Sequence, residues 1–61
     1  MPIRVVMEDM TYTIDESAIS FLNRFLDEQG RIRKDYVSIK PIKREKELFL
    51  NTRKILRVEE V

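Results

Sequence analysis

The sequence predicts a single α+β domain over residues 1–61, with one amphipathic helix packed on a small antiparallel sheet in the order ββαβββ. Three observations carry this reading. Apolar residues alternate with polar ones over 3–15, the period switches to that of a helix over 16–29, and short apolar runs return at 36–40, 48–50 and 55–58. A hydrophobic content of 43% with 38% charged residues suits a globular chain, and one Gly with two Pro argues against a linker or low-complexity tail.

The first element is a β-hairpin from Ile3 to Asp15. With Asp9-Met10 as a two-residue turn, Met7 faces Tyr12 and Val5 faces Ile14. Ile3, Val5, Met7, Tyr12 and Ile14 then share one face, and Arg4, Val6, Glu8, Thr11, Thr13 and Asp15 the other. Asp-Met is not the Asp-Gly pair that a tight hairpin turn prefers, which leaves a longer loop or a shifted register open.

Residues 16–29 carry Ala18, Ile19, Leu22, Phe25 and Leu26 at helical spacing, with Phe21 flanking this stripe. Ser20, Asn23, Arg24, Asp27 and Glu28 fall opposite. Asp15 is positioned as the N-cap, Glu16 favours the positive end of the helix dipole, and Gly30 supplies a left-handed residue beyond the C-terminus. The apolar stripe reads as the layer that covers the sheet.

Arg31 to Asp35 form a connection, and Tyr36-Val37-Ser38-Ile39-Lys40 reads as the third strand, ended by Pro41, which cannot donate to a ladder. Residues 42–46 form a charged link. The remainder holds either two strands, Leu48-Phe49-Leu50 and Ile55-Leu56-Arg57-Val58 around Asn51-Thr52-Arg53-Lys54, or one C-terminal helix. Strands are favoured, because a helix would place Asn51 and Thr52 in its apolar seam and both are poor helix formers.

Composition restricts the chemistry. With no His and no Cys, neither Ser-His-Asp nor Cys-His nucleophilic systems nor the usual zinc sites are available, and no disulfide can staple the fold. A single Gly cannot form a phosphate-cradling loop. The adjacent carboxylates Glu8-Asp9, Asp15-Glu16, Asp27-Glu28 and Glu59-Glu60 sit where turns and termini are expected to be polar. The chain therefore reads as non-enzymatic, without a cofactor or metal. A domain this small buries only about 60% of the surface its unfolded chain exposes, and self-association is an economical reinforcement, so a homo-oligomer is expected. No apolar run approaches membrane-spanning length and no signal-like apolar segment follows Met1, which points to a cytoplasmic protein with no membrane partner.

The net charge of +1 conceals an asymmetry. Residues 1–30 hold two basic and six acidic side chains, residues 31–46 hold seven basic against two acidic, and residues 47–61 balance three against three. Within the basic stretch, Arg31, Arg33, Lys34, Tyr36, Lys40, Lys43 and Arg44 are the candidate partner-binding or nucleic-acid-binding residues, offering cations for phosphate and one ring for stacking. Strand alternation also makes Ser38 and Lys40 the solvent side of an amphipathic strand.

Two resemblances bear on function. The hairpin ending Thr11-Tyr12-Thr13-Ile14-Asp15, the helix, and the closing run from Phe49 through Asn51-Thr52 and Ile55 to Glu59-Glu60 resemble short hypothetical proteins of phages and prophages of Gram-positive bacteria, over nearly the whole chain. This implies a scaffold that mobile elements use as a regulator or as an inhibitor of a host protein. Ile14-Asp15, Leu22, Arg24-Phe25, Glu28, Gly30 and Ile32 are similar to the start of the bacterial-type small-subunit ribosomal protein eighteen, which implies RNA contacts at Arg24, Arg31 and Arg33. The near-neutral charge, the hairpin-like N-terminus and the lack of a basic C-terminal helix depart from that pattern. A protein-binding module is the expected function, using an exposed sheet edge or the helix's polar face with Phe21. Nucleic-acid binding through residues 31–46 is the alternative.

Overall fold

In a computed structural model describing residues 1–61, five strands, one short helix and one 3-10 turn follow one another along the chain. They are β1 (Ile3–Met7), β2 (Thr11–Ile14), α1 (Ala18–Asn23), β3 (Tyr36–Ile39), β4 (Leu48–Asn51), η1 (Thr52–Lys54) and β5 (Ile55–Glu60). The result is a small α+β fold with antiparallel pairing throughout.

The strands form two sheets where the sequence suggested one. β2, β1 and β5 make a three-stranded sheet in that order, while β3 and β4 pair as a separate two-stranded ribbon. The turn after β4 explains the division. Thr52 is buried, its N–H donates to Asp35 O at 2.9 Å and its hydroxyl lies 2.7 Å from Lys34 O and 3.1 Å from Asp35 O. Asn51 caps the 3-10 turn by accepting from Arg53 N at 3.0 Å. This anchoring holds the end of β4 beside β3 and redirects the chain, so that β5 pairs with β1 instead of returning along β4.

The first hairpin keeps the expected faces in a shifted register. Ile3 pairs with Ile14 and Val5 with Tyr12, and Met7 N–H donates to Met10 O at 2.8 Å, so Glu8-Asp9 occupies the turn in place of Asp9-Met10. A slip of the partner by two residues leaves every side chain on its original face. Ile3, Val5 and Ile14 are accordingly buried.

The helix is shorter than its periodicity suggests. It spans Ala18–Asn23, with Ser17 as the N-cap accepting from Ser20 N, not Asp15. Beyond it, Leu26 bridges Ile32 and Arg33 N–H donates to Phe25 O at 2.9 Å, so Phe25 and Leu26 belong to a miniature antiparallel turnback. Asp27 organises its loop, with Oδ1 accepting from both Gln29 N and Arg31 N at 2.9 Å. Gly30, at φ +79°, supplies the left-handed residue of this loop rather than a helix cap. The buried side of α1 is centred on Phe21, while Ile19, assigned by spacing to the apolar stripe, is 74% exposed.

One core serves both sheets. Ile3 and Val5 of β1, Ile14 of β2, Phe21 and Phe25, Val37 and Ile39 of β3, and Leu50 of β4 form a single buried cluster. Phe21 and Phe25 meet edge to face at 5.3 Å between ring centroids. No helix is long and apolar enough to cross a membrane.

Candidate functional site

The candidate residues of the basic stretch lie on three different elements. Arg31 and Arg33 sit on the helix-exit turnback. Arg31 is held through its backbone by Asp27, which leaves its side chain exposed. The Arg33 guanidinium instead turns onto the end of the helix, where Nε donates to Leu26 O at 3.2 Å and Nη2 to Asn23 O at 3.0 Å. Cations beside a helix C-terminus satisfy its otherwise unpaired carbonyls, so Arg33 serves the fold directly.

Lys34, Tyr36 and Lys40 border or lie along β3, and all three are exposed. Lys43 and Arg44 belong to the β3–β4 loop. That loop is laid against β2: Ile42 N–H donates to Thr13 O at 2.8 Å, Arg44 N–H closes a turn onto Pro41 O at 3.1 Å, and the Arg44 guanidinium lies 5.8 Å from the Tyr12 ring centroid. Lys43 takes a left-handed φ of +75° within that turn. Between the loop and β2 runs an open groove of about 360 Å³, bordered by Thr11, Thr13, Lys43 and Arg44.

The outer face of the β3–β4 ribbon adds a residue that the charge pattern does not single out. Val37 pairs with Leu50 and Ile39 with Leu48, which places these four inward. Tyr36, opposite Asn51, and Phe49, opposite Ser38, therefore point outward from diagonal positions on one face. They are 61% and 72% exposed. The signal for Phe49 was available in Leu48-Phe49-Leu50, since two inward leucines require an outward residue between them. Its partner strand, and hence its neighbour Tyr36, required the register. Phe21 is unavailable to any partner, because it is wholly buried; this corrects the expectation that it would join the helix's polar face in binding.

A second groove of about 360 Å³ runs between the residues flanking α1 and the ribbon, where Glu16, Arg24, Lys40 and Glu47 mix both charge signs. Arg24 and Glu16 make an ion pair there, with Nε 3.1 Å from Oε1. That contact is too poorly aligned for a hydrogen bond, and Nη2 carries the bond to Oε2 at 3.3 Å. The same guanidinium covers the Phe21 ring at 5.6 Å from its centroid. Its charge is thus engaged by a carboxylate and an aromatic face. No group of three carboxylates converges to form a cation site.

On the opposite sheet, Arg57 and Glu59 project from one face of β5, with Nε 2.7 Å from Oε2. The hydrogen bond from Arg57 and its positive charge hold the Glu59 carboxyl below its ordinary range, with a further contribution from Arg4. Arg4 stands opposite Glu59 across the β1–β5 ladder.

No protein-family model, curated protein or solved structure matches the chain.

Proposed function

We propose that the protein is a small non-catalytic binding module whose partner is another protein, engaged through the outer face of the β3–β4 ribbon. The observation that carries this reading is that Tyr36 and Phe49 are both exposed, at diagonal positions on one face of a ribbon whose other face is core. Aromatic side chains anchor protein interfaces because they bury a large area at small conformational cost. Arg53 and Asp35, 3.6 Å apart at the end of the ribbon, supply the polar rim such a patch requires. The resemblance to short phage and prophage proteins supports a role in the cytoplasm as a regulator or inhibitor of a host protein.

A second reading is favoured by one specific observation: Lys40 lies at the end of the strand that carries Tyr36, on the same alternation, and Lys34 precedes it. Rings flanked by cations on an open strand surface suit a single-stranded nucleic acid. Capture from bacterial lysate separates the two, using wild-type chain and the Y36A/F49A variant washed at high salt. A protein retained by the wild type and released by the variant supports the first reading, since an apolar interface survives ionic strength that releases nucleic acid. Nucleic acid captured at low salt and lost at high salt moves the assignment to the second. Equal capture by both chains removes the aromatic pair from either role.

A further inference from the structure

We propose that β5 is a self-pairing edge, through which two copies of the chain join their three-stranded sheets into one continuous six-stranded antiparallel sheet. The residues involved lie on the sheet that does not carry Tyr36 and Phe49, so the inference stands or falls apart from the binding face described above.

The two edges of the β2-β1-β5 sheet are treated differently by the fold. β2 is partly covered, since Ile42 N–H donates to Thr13 O and the Pro41 to Arg44 turn lies along it. β5 receives no backbone hydrogen bond on its outer side from any other element. An uncovered edge strand is a template for another strand, and natural edges are ordinarily blunted by Pro, by brevity, by a cover, by charged side chains or by a bulge. β5 has six residues, no Pro and no cover; its bulge lies at its N-terminal end, and its charges are of both signs, so they disfavour some partners and registers and favour others.

The hydrogen-bond phase identifies which residues offer their backbone. Val61 N–H donates to Pro2 O, and Ile3 stands opposite Glu60 in the ladder. In an antiparallel pair this makes Ile3 and Glu60 a non-hydrogen-bonded pair, so Arg57 and Glu59 direct their N–H and C=O groups at β1. Val58 and Glu60 direct theirs at open solvent. A two-fold axis through Val58 lets it exchange both N–H···O bonds with its own copy.

Charge selects the same register. Two-fold pairing must keep side chains of one face together, so only registers that place residues of equal parity opposite each other are allowed. An axis through Arg57 sets two guanidiniums face to face, and one through Glu59 or Glu60 sets two carboxylates face to face. With the axis at Val58, each Arg57 faces the second copy's Glu59 in a non-hydrogen-bonded pair, the position where opposing side chains are closest. The Arg57–Glu59 pair already made within the chain then becomes half of an alternating square of four charges. The bulge that leaves Leu56 as an extra residue opposite Val6 and Met7 bounds this segment at its N-terminal end.

Sedimentation velocity on the full chain at tens of micromolar tests the proposal, with circular dichroism confirming that each variant is folded. The wild type should run as a dimer. R57E places two carboxylates opposite each other at both pairs, and E59R places two guanidiniums there. Each alone should raise the dimer dissociation constant at least about tenfold. Mixing the two single variants restores opposite charges at both pairs and should restore a heterodimer. The double swap R57E/E59R should dimerise as the wild type does. Should either charge variant unfold, V58P removes the edge-facing N–H without touching the β1 ladder, and should be monomeric. A wild-type monomer, undiminished dimers of folded R57E and E59R, or a dimeric V58P would overturn the proposal.

Discussion

At the scale of single residues, the division of labour is clearest at Thr52. Its hydroxyl has one proton, donated to Lys34 O at 2.7 Å with Asp35 O as the weaker alternative at 3.1 Å, while its N–H independently serves Asp35 O. Replacing Thr by Val conserves shape and removes the hydroxyl, leaving Lys34 O without this partner where the side chain is 3% exposed. The net loss of such a part-buried hydrogen bond is about 0.5–1.5 kcal/mol, so T52V should be less stable in urea by that margin. T52S keeps the donor and should lose less; equal losses in the two variants would assign the effect to packing instead. Arg33 makes a related point about function. It is one of the cations counted in the basic segment, yet its guanidinium closes helix carbonyls, so a count of charges overstates the cationic surface available to a partner.

At the scale of elements, faces were readable from the sequence and registers were not. Strand alternation placed Ile3, Val5 and Ile14 inward correctly, because a two-residue slip of the hairpin leaves the faces unchanged. The same indifference hid the turn, since Glu8-Asp9 and Asp9-Met10 imply identical faces. The helix was overextended for a different reason. Phe25 and Leu26 continue the apolar spacing of Phe21 and Leu22, but Asp27 draws Gln29 and Arg31 N–H groups to its side chain, and that competes with continuing helix. Of the candidate surface, Tyr36 was legible as a ring among cations, whereas its sharing a face with Phe49 depends on β3 and β4 being partners across an eight-residue connection, which no local pattern encodes. Gly30 tests the turnback. A Cβ there would meet no atom within 4 Å, so only the left-handed φ of +79° penalises a side chain. G30A should cost about 1 kcal/mol, and G30N, whose side chain tolerates that region, less. Thermal unfolding measures it, since about 1 kcal/mol moves the midpoint of a domain this size by roughly 4–8 °C. An unchanged midpoint for G30A would mean that the loop relaxes out of this geometry without loss.

At the scale of the whole molecule, two sheets that share no ladder are held together by one apolar cluster and a backbone tie. The tie is Ile42 N–H to Thr13 O, from the β3–β4 loop to β2, whereas the Thr52 bonds close the ribbon itself. The cluster draws on β1, β2, β3, β4 and the helix, with Phe21 fully buried and Phe25 against it. Neither sheet has a second core to fall back on, which makes cooperativity a consequence of the composition of this cluster. Domains are stable by roughly 0.05–0.15 kcal/mol per residue, or about 3–9 kcal/mol for a chain of this length. Truncating a buried Phe to Ala costs about 3–5 kcal/mol through lost transfer energy and the cavity left behind. F21A should therefore remove from about a third to all of the stability of the monomeric fold, with F21L intermediate. Hydrogen exchange resolves whether the loss is shared. In the wild type, the slowest amides of β1 and of β3 should open with one common free energy, and in F21L both should fall by the same amount. Protection retained in the β3–β4 ribbon while the β1 ladder loses its own would show that the sheets unfold as separate units, and that the shared core does not couple them.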